Sequence, residues 1–266
     1  MKLIRQVERK IFSKFYIKRF KTFKSAYEYC DQRNKGVYEA DLICRYRFHK
    51  MNNFLKEGGN LLNDPTISTL LFSVNYYLKN FQNECPSLID YGGACGSTLL
   101  LLEKIFGEEI LNKSFIVETP KFVEESKKWS FASKLSFTSS IDNILKNNNL
   151  SIFFSSGTIQ YLEDPLQIIS KVAESSIKIA SFVRNNFSLK NDIYVQKSYL
   201  SENGLGKHIS EYSDLPIYYP NRSIIKKELI EIFKKNGFRV IFDAEENKGS
   251  YGNTNYGGDL IFAKDN

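Results

Sequence analysis

The stretch Leu88-Ile89-Asp90-Tyr91-Gly92-Gly93-Ala94-Cys95-Gly96-Ser97 decides the fold. A short apolar run ends in an acid, then a turn of small residues, then a strongly apolar segment from Thr98 to Phe106. This reads as strand, glycine-rich turn and helix, with Ser97 as the helix cap. Small residues in such a turn let the backbone approach a ligand closely. An acid at the strand end can hold a ligand's ammonium, directly or through water. The spacing is not the G-x-G-x-x-G of dinucleotide sites.

Upstream, Asp64-Pro65-Thr66 predicts a helix start, with Asp64 as N-cap and Pro65 at the first helical position. That helix runs to about Asn80, with Ile67, Leu70, Leu71, Val74 and Tyr77 or Leu78 on its buried face. Downstream, Phe115-Ile116-Val117 is a second strand closed by Glu118, and Pro120 opens a helix to about Phe131. Leu135 to Thr138, Leu150 to Phe154 and Ile177 to Val183 give strands three to five, with a helix over residues 165–175 before the fifth. Strands and helices alternating at this spacing imply a parallel sheet covered on both faces. Residues 185–222 break the rhythm and read as an insertion after strand five. Helix returns over 223–235, and Phe238–Phe242 and Asp259–Ala263 close the chain as a hairpin-like pair. The expected fold is α/β: a Rossmann-like, mostly parallel sheet with an antiparallel last strand. The division is a basic N-terminal helical arm and lid over 1–64 and a sheet domain over 65–266.

The chain has 266 residues, 42% hydrophobic and 25% charged, which excludes disordered and fibrous classes. Its net charge of +7 is not spread evenly. Residues 1–35 hold eleven basic and three acidic side chains, a net +8 that leaves the rest at −1. In this arm Ile4, Val7, Ile11 and Phe15 step along one helical face, and Phe12, Tyr16, Phe20 and Phe23 form a second stripe. Such an arm docks on its own domain as a lid or lies on an anionic membrane surface through residues 1–24, with docking favoured. Nucleic acid ranks third as a partner, because no recognised module accompanies the charge. No apolar run reaches the ~20 residues of a spanning helix, and the N-terminus lacks a secretory signal core. The four cysteines show no CxxC spacing, and no His/Asp/Glu cluster has metal-ligand spacing. A cytoplasmic, reduced chain without a metal is expected, peripheral to the inner membrane face if the arm binds lipid.

Ligands of such sheets lie at the carboxyl ends of strands. Three features converge there: the Asp90 loop, Glu118, whose carboxylate can accept both hydroxyls of a ribose, and Ser155-Ser156-Gly157 at the end of the fourth strand. The loop resembles the D-x-G-x-G-x-G of class I S-adenosylmethionine (SAM) methyltransferases, with Gly92 and Gly96 at the outer glycines and Ala94 in place of the middle one. No N-P-P-Y or D-P-P-Y sequence is present, which counts against a nucleic-acid base methyltransferase.

A narrower resemblance rests on Asp90-Tyr91-Gly92-Gly93, Val117-Glu118-Thr119-Pro120-Lys121-Phe122-Val123, Ser155-Ser156-Gly157, Gln160-Tyr161-Leu162 and Asp164-Pro165. Arg184, Gln196, Tyr219-Pro220 and Gly36-Val37-Tyr38 extend it. These residues are similar to a family of methyltransferases encoded with bacterial surface-polysaccharide genes. The chain departs from that family at Ala94, Cys95 and Asn185-Asn186.

The resemblance implies a SAM site, with S-adenosylhomocysteine (SAH) as product. Gly92 and Gly93 would pass beneath the amino-acid portion, beside Asp90, Tyr91 and Gly96. Glu118 and Thr119 would serve the ribose, Ser139 or Ser140 the adenine amino group, and Ser155, Ser156, Gly157 and Gln160 the sulfonium. Tyr38 would close over it. The implied acceptor is a small polar or anionic molecule, a surface-glycan precursor methylated on a sugar hydroxyl or a phosphoryl or phosphoramidate oxygen. Gln196, Tyr218 and Tyr219 are either acceptor-pocket walls or packing under the insertion. Arg184 is either an anion clamp or a surface ion pair. His208 is either a general base or a surface histidine, and Tyr161 completes the candidate catalytic set. The alternatives are a non-catalytic partner protein of the same fold and a nicotinamide-dependent oxidoreductase.

Overall fold

A computed structural model describes residues 18–34, 41–64, 66–81, 85–147, 149–248 and 255–265. The basic arm up to residue 17, and Tyr38 with its neighbours, lie outside the described residues.

Five strands run parallel: β2 (Ser87–Tyr91), β3 (Lys113–Val117), β4 (Phe137–Thr138), β5 (Ile152–Ser156) and β6 (Ile179–Ser188). β10 (Phe238–Lys248) and β11 (Asn255–Lys264) complete the order β10-β11-β6-β5-β2-β3-β4. β11 is antiparallel to both of its neighbours, as expected for the closing pair. A two-residue strand, β9 (Ile224–Ile225), adds to the far end of β6.

Successive strand side chains point to opposite faces. Leu88, Ile152, Phe154 and Val183 enter one core with helices α2 (Asp41–Lys56), α3 (Ile67–Asn80) and α4 (Ser97–Phe106). Ile89, Phe153, Ala180 and Phe182 enter the other, under α6 (Ile141–Asn147), α7 (Pro165–Ala173) and α8 (Lys226–Lys235). Burial on both faces explains why these strands read as continuous apolar runs. A short helix, α5 (Pro120–Ser126), follows β3.

Several boundaries differ from the sequence reading, and three of them concern helix ends. α3 begins at Ile67, with Thr66 at the cap position and Asp64 Oδ1 accepting from both Thr66 N and Thr66 Oγ1. Its buried face holds Leu70, Val74 and Tyr77 as expected, but also Thr69 and Ser73. Ser73 is tolerated there because its hydroxyl meets Ser181 Oγ at 2.7 Å. α4 is capped by Gly96 and not by Ser97. α5 stops at Ser126, well short of Phe131, which falls in a following 3-10 turn.

The insertion is ordered, and the fifth strand continues into it as far as Ser188. β7 (Ile193–Tyr199) and β8 (Pro216–Arg222) form an antiparallel sheet with β1 (Arg19–Phe20). The helical stripe expected through Phe20 therefore breaks at Arg19, whose guanidinium pairs with Asp192 at 3.1 Å. α1 (Phe23–Asn34) and α2 share a small core with this sheet, built from Phe23, Ala26, Ile43, Tyr46, Val195 and Ile217.

Phe233 anchors α8 by stacking on Phe262 at 4.3 Å between ring centroids. Phe233→Ala should cost about 3–5 kcal/mol in denaturant unfolding, the range for emptying a fully buried aromatic site.

Candidate functional site

One cleft of about 440 Å³ opens at the carboxyl ends of the parallel strands. Asp90 from the tip of β2, Glu118 just past β3 and Ser156 from the tip of β5 all line it. These strands are adjacent in the sheet, so the three side chains converge.

The turn after β2 is held by its own backbone and by Glu118. Gly92 N donates to Val117 O at 2.8 Å. Gly92 sits at φ +76°, and a Cβ there would lie 2.1 Å from Thr158 Oγ1, so only glycine fits. Ala94 takes φ +51° where the related motif has glycine. Its N–H donates to Glu118 Oε1 at 3.0 Å, and Thr119 N donates to Glu118 Oε2 at 2.9 Å. Each carboxylate oxygen keeps accepting capacity, enough for a pair of vicinal hydroxyls. Burial pushes the Glu118 carboxyl above the usual range, and the Arg47 guanidinium and the two backbone bonds oppose this.

Asp90 is 1% exposed, and its Oδ2 has no hydrogen-bond partner. Burial pushes its carboxyl up to about 7, with the Thr98 hydroxyl bond opposing and the charges of Glu118 and Asp64 adding. Thr119 Oγ1 and Ser156 Oγ are likewise buried without partners on the cleft wall. Buried polar atoms are seldom left unpaired, which makes these three oxygens candidates for ligand contacts.

Tyr161, Leu162 and Arg184 also line the cleft. Arg184 is exposed and sits at φ +55°, in a bulge opposite β11. Its N–H donates to Asp259 Oδ1 at 2.7 Å, while Asp259 Oδ2 accepts from Thr69 Oγ1. A non-glycine residue held at positive φ beside a cleft marks strain that surrounding bonds must sustain. Tyr161 Oη donates to Gln196 Oε1 at 3.0 Å, and Asn221 Nδ2 donates to the same oxygen.

Of the sequence-derived residues, Asp90, Gly92, Gly93, Glu118, Thr119, Ser156, Gly157, Tyr161 and Arg184 line the cleft. The others stand elsewhere. Tyr91 points into the opposite core against Phe153. Gly96 gives room to Leu135 and Ile116, at 2.5 and 2.8 Å from a virtual Cβ. Ser139 is exposed, and Ser140 Oγ accepts from Asn143 N at the start of α6. Ser155 is fully buried, one residue short of the strand tip. Gln160 is buried behind the wall, with Nε2 on Arg184 O. Gln196 and Tyr219 form a second layer behind Tyr161, and Tyr219 Oη donates to Asn203 Oδ1. Tyr218 meets Asn34 through its backbone. His208 is exposed, with Nδ1 2.8 Å from Tyr46 Oη. It does not line the cleft.

Sequence reasoning missed Arg47, Met51, Asp64, Thr98 and the stretch Glu202-Asn203-Gly204-Leu205, all of which line the cleft. Arg47 and Met51 lie one turn apart on α2, a spacing visible in the sequence once that helix is recognised. The Lys50 ammonium, on the same helix, donates to the carbonyls of Ser201, Asn203 and Gly204 at 2.7, 3.2 and 3.0 Å. It pins this roof segment to the N-terminal helices.

No protein-family profile matches the chain, and no curated protein matches it. Solved structures do. A SAM-dependent methyltransferase from Clostridium acetobutylicum ATCC 824 aligns with 84% of this chain and 100% of its own at 10% identity and TM-score 0.52. DesVI of Streptomyces venezuelae aligns with 82% of this chain and 98% of its own at 11% identity and TM-score 0.50. Magnesium protoporphyrin IX methyltransferase (ChlM) from Synechocystis PCC 6803, solved with bound SAM, covers 98% of this chain and 96% of its own at 11% identity and TM-score 0.45. The fold is the Rossmann-like class I methyltransferase fold.

The Asp90 carboxyl generates a pH prediction. Between about pH 4 and 7 the native chain keeps a proton that the unfolded chain has released, so stability falls as pH rises through that window. The loss is on the order of 4 kcal/mol. Denaturant midpoints measured across that window should decline for the wild type and flatten for Asp90→Asn.

Proposed function

We propose that the chain is a SAM-dependent methyltransferase acting on the oxygen of a small, polar, anionic acceptor. The observation that supports this most is the convergence of Asp90, Glu118 and Ser156 in one cleft. The residues fit the cofactor. Glu118 presents accepting oxygens to ribose hydroxyls, Asp90 Oδ2 is left for a cationic or donor group, and Gly92 and Gly93 let the turn pack closely on Thr158 and Asp90 at the cleft wall. SAM supplies a methyl group on a sulfonium, already activated for direct displacement.

What remains for the chain is alignment, drying and charge. Reacting atoms must be held within about 3–3.5 Å. Tyr161, fixed through Gln196 and Asn221, gives a rigid wall for the acceptor. The segment from Glu202 to Leu205 lines the cleft, held in place by Lys50, and would limit water there. Arg47 and Arg184 bring two guanidinium groups to the same cleft, a pairing suited to phosphate or carboxylate oxygens. An anionic oxygen needs no general base, which agrees with His208 lying outside. The family resemblance points the acceptor toward a surface-glycan precursor carrying a phosphoryl or phosphoramidate group, or a sugar hydroxyl.

The oxidoreductase reading loses its support, because the C-terminal strand is antiparallel within the sheet. The partner-protein reading is settled by calorimetry. Wild type should give saturable heat with SAM and with SAH, and a folded chain giving none would refute the enzyme. Glu118→Gln should weaken SAH binding by roughly 10–100-fold, the worth of charged hydrogen bonds to two hydroxyls. Arg184→Gln should leave SAH affinity nearly unchanged while depressing methyl transfer to anionic acceptors in a radiolabel assay.

A further inference from the structure

β6 carries one residue too many for a regular strand. Ala180 and Phe182 enter the core under α6, α7 and α8, and so does Phe187, an odd step further on where regular alternation allows only even ones. The extra residue is absorbed in the bulge. Pairing with β11 passes from Phe182 opposite Leu260 to Asn185 opposite Gly258, so Val183 and Arg184 stand against Asp259 alone. Arg184 is the one exposed residue of the strand, and it lines the cleft. A bulge beside a site re-aims a side chain in this way.

Side chains hold the bulge in place. Asp259 Oδ1 accepts from Arg184 N at 2.7 Å, and Gln160 Nε2 donates to Arg184 O at 3.4 Å. Asp259 Oδ2 accepts from Thr69 Oγ1 at 3.0 Å, and Thr69 is buried on α3. Ser73 on the same helix bonds Thr69 O and Ser181 Oγ, which ties α3 to β6 as well. The Asp259 carboxylate is thus oriented by a helix where it meets the strand. Its bond to Arg184 helps sustain φ +55°, a conformation that costs a non-glycine residue energy. Among the described residues the Arg184 guanidinium forms no ion pair, not even with Asp259.

We infer that Asp259 is a positioning residue: through the Arg184 main chain it turns that guanidinium toward an anionic group of the acceptor, and Thr69 fixes its own orientation. This rests on the anionic acceptor proposed above. Asp259 acts here by geometry and against its own charge, because a carboxylate beside an anion site weakens that site. Geometry and charge therefore predict opposite signs when the carboxylate is removed.

Titration of the full chain with inorganic phosphate, followed by phosphorus NMR, tests this, with SAH calorimetry and thermal unfolding on the same variants. Arg184→Gln should weaken phosphate by about tenfold, the loss of a charged hydrogen bond. Asp259→Ala should weaken it about five- to tenfold, and adding Asp259→Ala to Arg184→Gln should cost nothing further, because both act through one guanidinium. Asp259→Asn keeps an acceptor for Arg184 N and should hold phosphate within about twofold of the wild type, or more tightly. Asp259→Glu keeps the charge but moves the oxygen; it should weaken phosphate as Asp259→Ala does, and it carries the test if the alanine variant does not fold. SAH affinity should stay within about twofold throughout. No phosphate binding by the wild type, undiminished binding in Asp259→Ala or Asp259→Glu, Asp259→Asn as weak as Asp259→Ala, or an equal loss of SAH and phosphate overturns the inference. Failure of the wild type to bind SAH overturns the cofactor reading instead, and the phosphate results still decide the role of Asp259.

Discussion

The site depends on one side chain that ties two strands together. Glu118 accepts N–H bonds from Ala94 and Thr119, and so fastens the turn after β2 to the tip of β3. Without it, Ala94 would have no reason to hold a left-handed conformation, which non-glycine residues adopt at a cost. The turn also carries Gly93, which packs directly over the buried Asp90 carboxyl. The carboxylate is costly to bury, and its two backbone donors are part of what keeps it there. In the proposed function the same group would be both a cofactor contact and a structural clasp.

The second constraint lies across the opening. The N-terminal helices and the inserted sheet share one core. Lys50 holds three carbonyls of the roof segment, and Asn203 in that segment accepts from Tyr219, which packs against Tyr161. Roof, wall and α2 are thus one bonded unit. Arg47 reaches the cleft from this unit, while Arg184 reaches it from the bulge in β6. The two arginines thus come to the cleft from separate parts of the fold.

The sheet was legible because its strands are buried on both faces and end in small or acidic residues. Asp90, Glu118 and Ser156 were readable for the same reason: a strand tip fixes where a side chain goes. Tyr91, Ser155 and Gln160 were misjudged by one position of phase, since neighbours along a strand or turn face opposite ways. His208 was chosen by residue type, and its direction depends on a tertiary bond to Tyr46 that no local pattern encodes. Arg47 and Asp64 were passed over because they lie far from the glycine turn in sequence and arrive only by packing. The inserted strands were unreadable as strands because their small sheet packs on α1 and α2, and that partner lies more than 130 residues away.

The most direct measurement is a crystal structure of the protein grown with SAH. The account predicts nucleoside density across the tips of β3, β2 and β5, with both ribose hydroxyls on Glu118 and the amino-acid portion over Gly92 and Gly93. Density on any other surface, with Asp90, Glu118 and Ser156 left facing solvent, would contradict it.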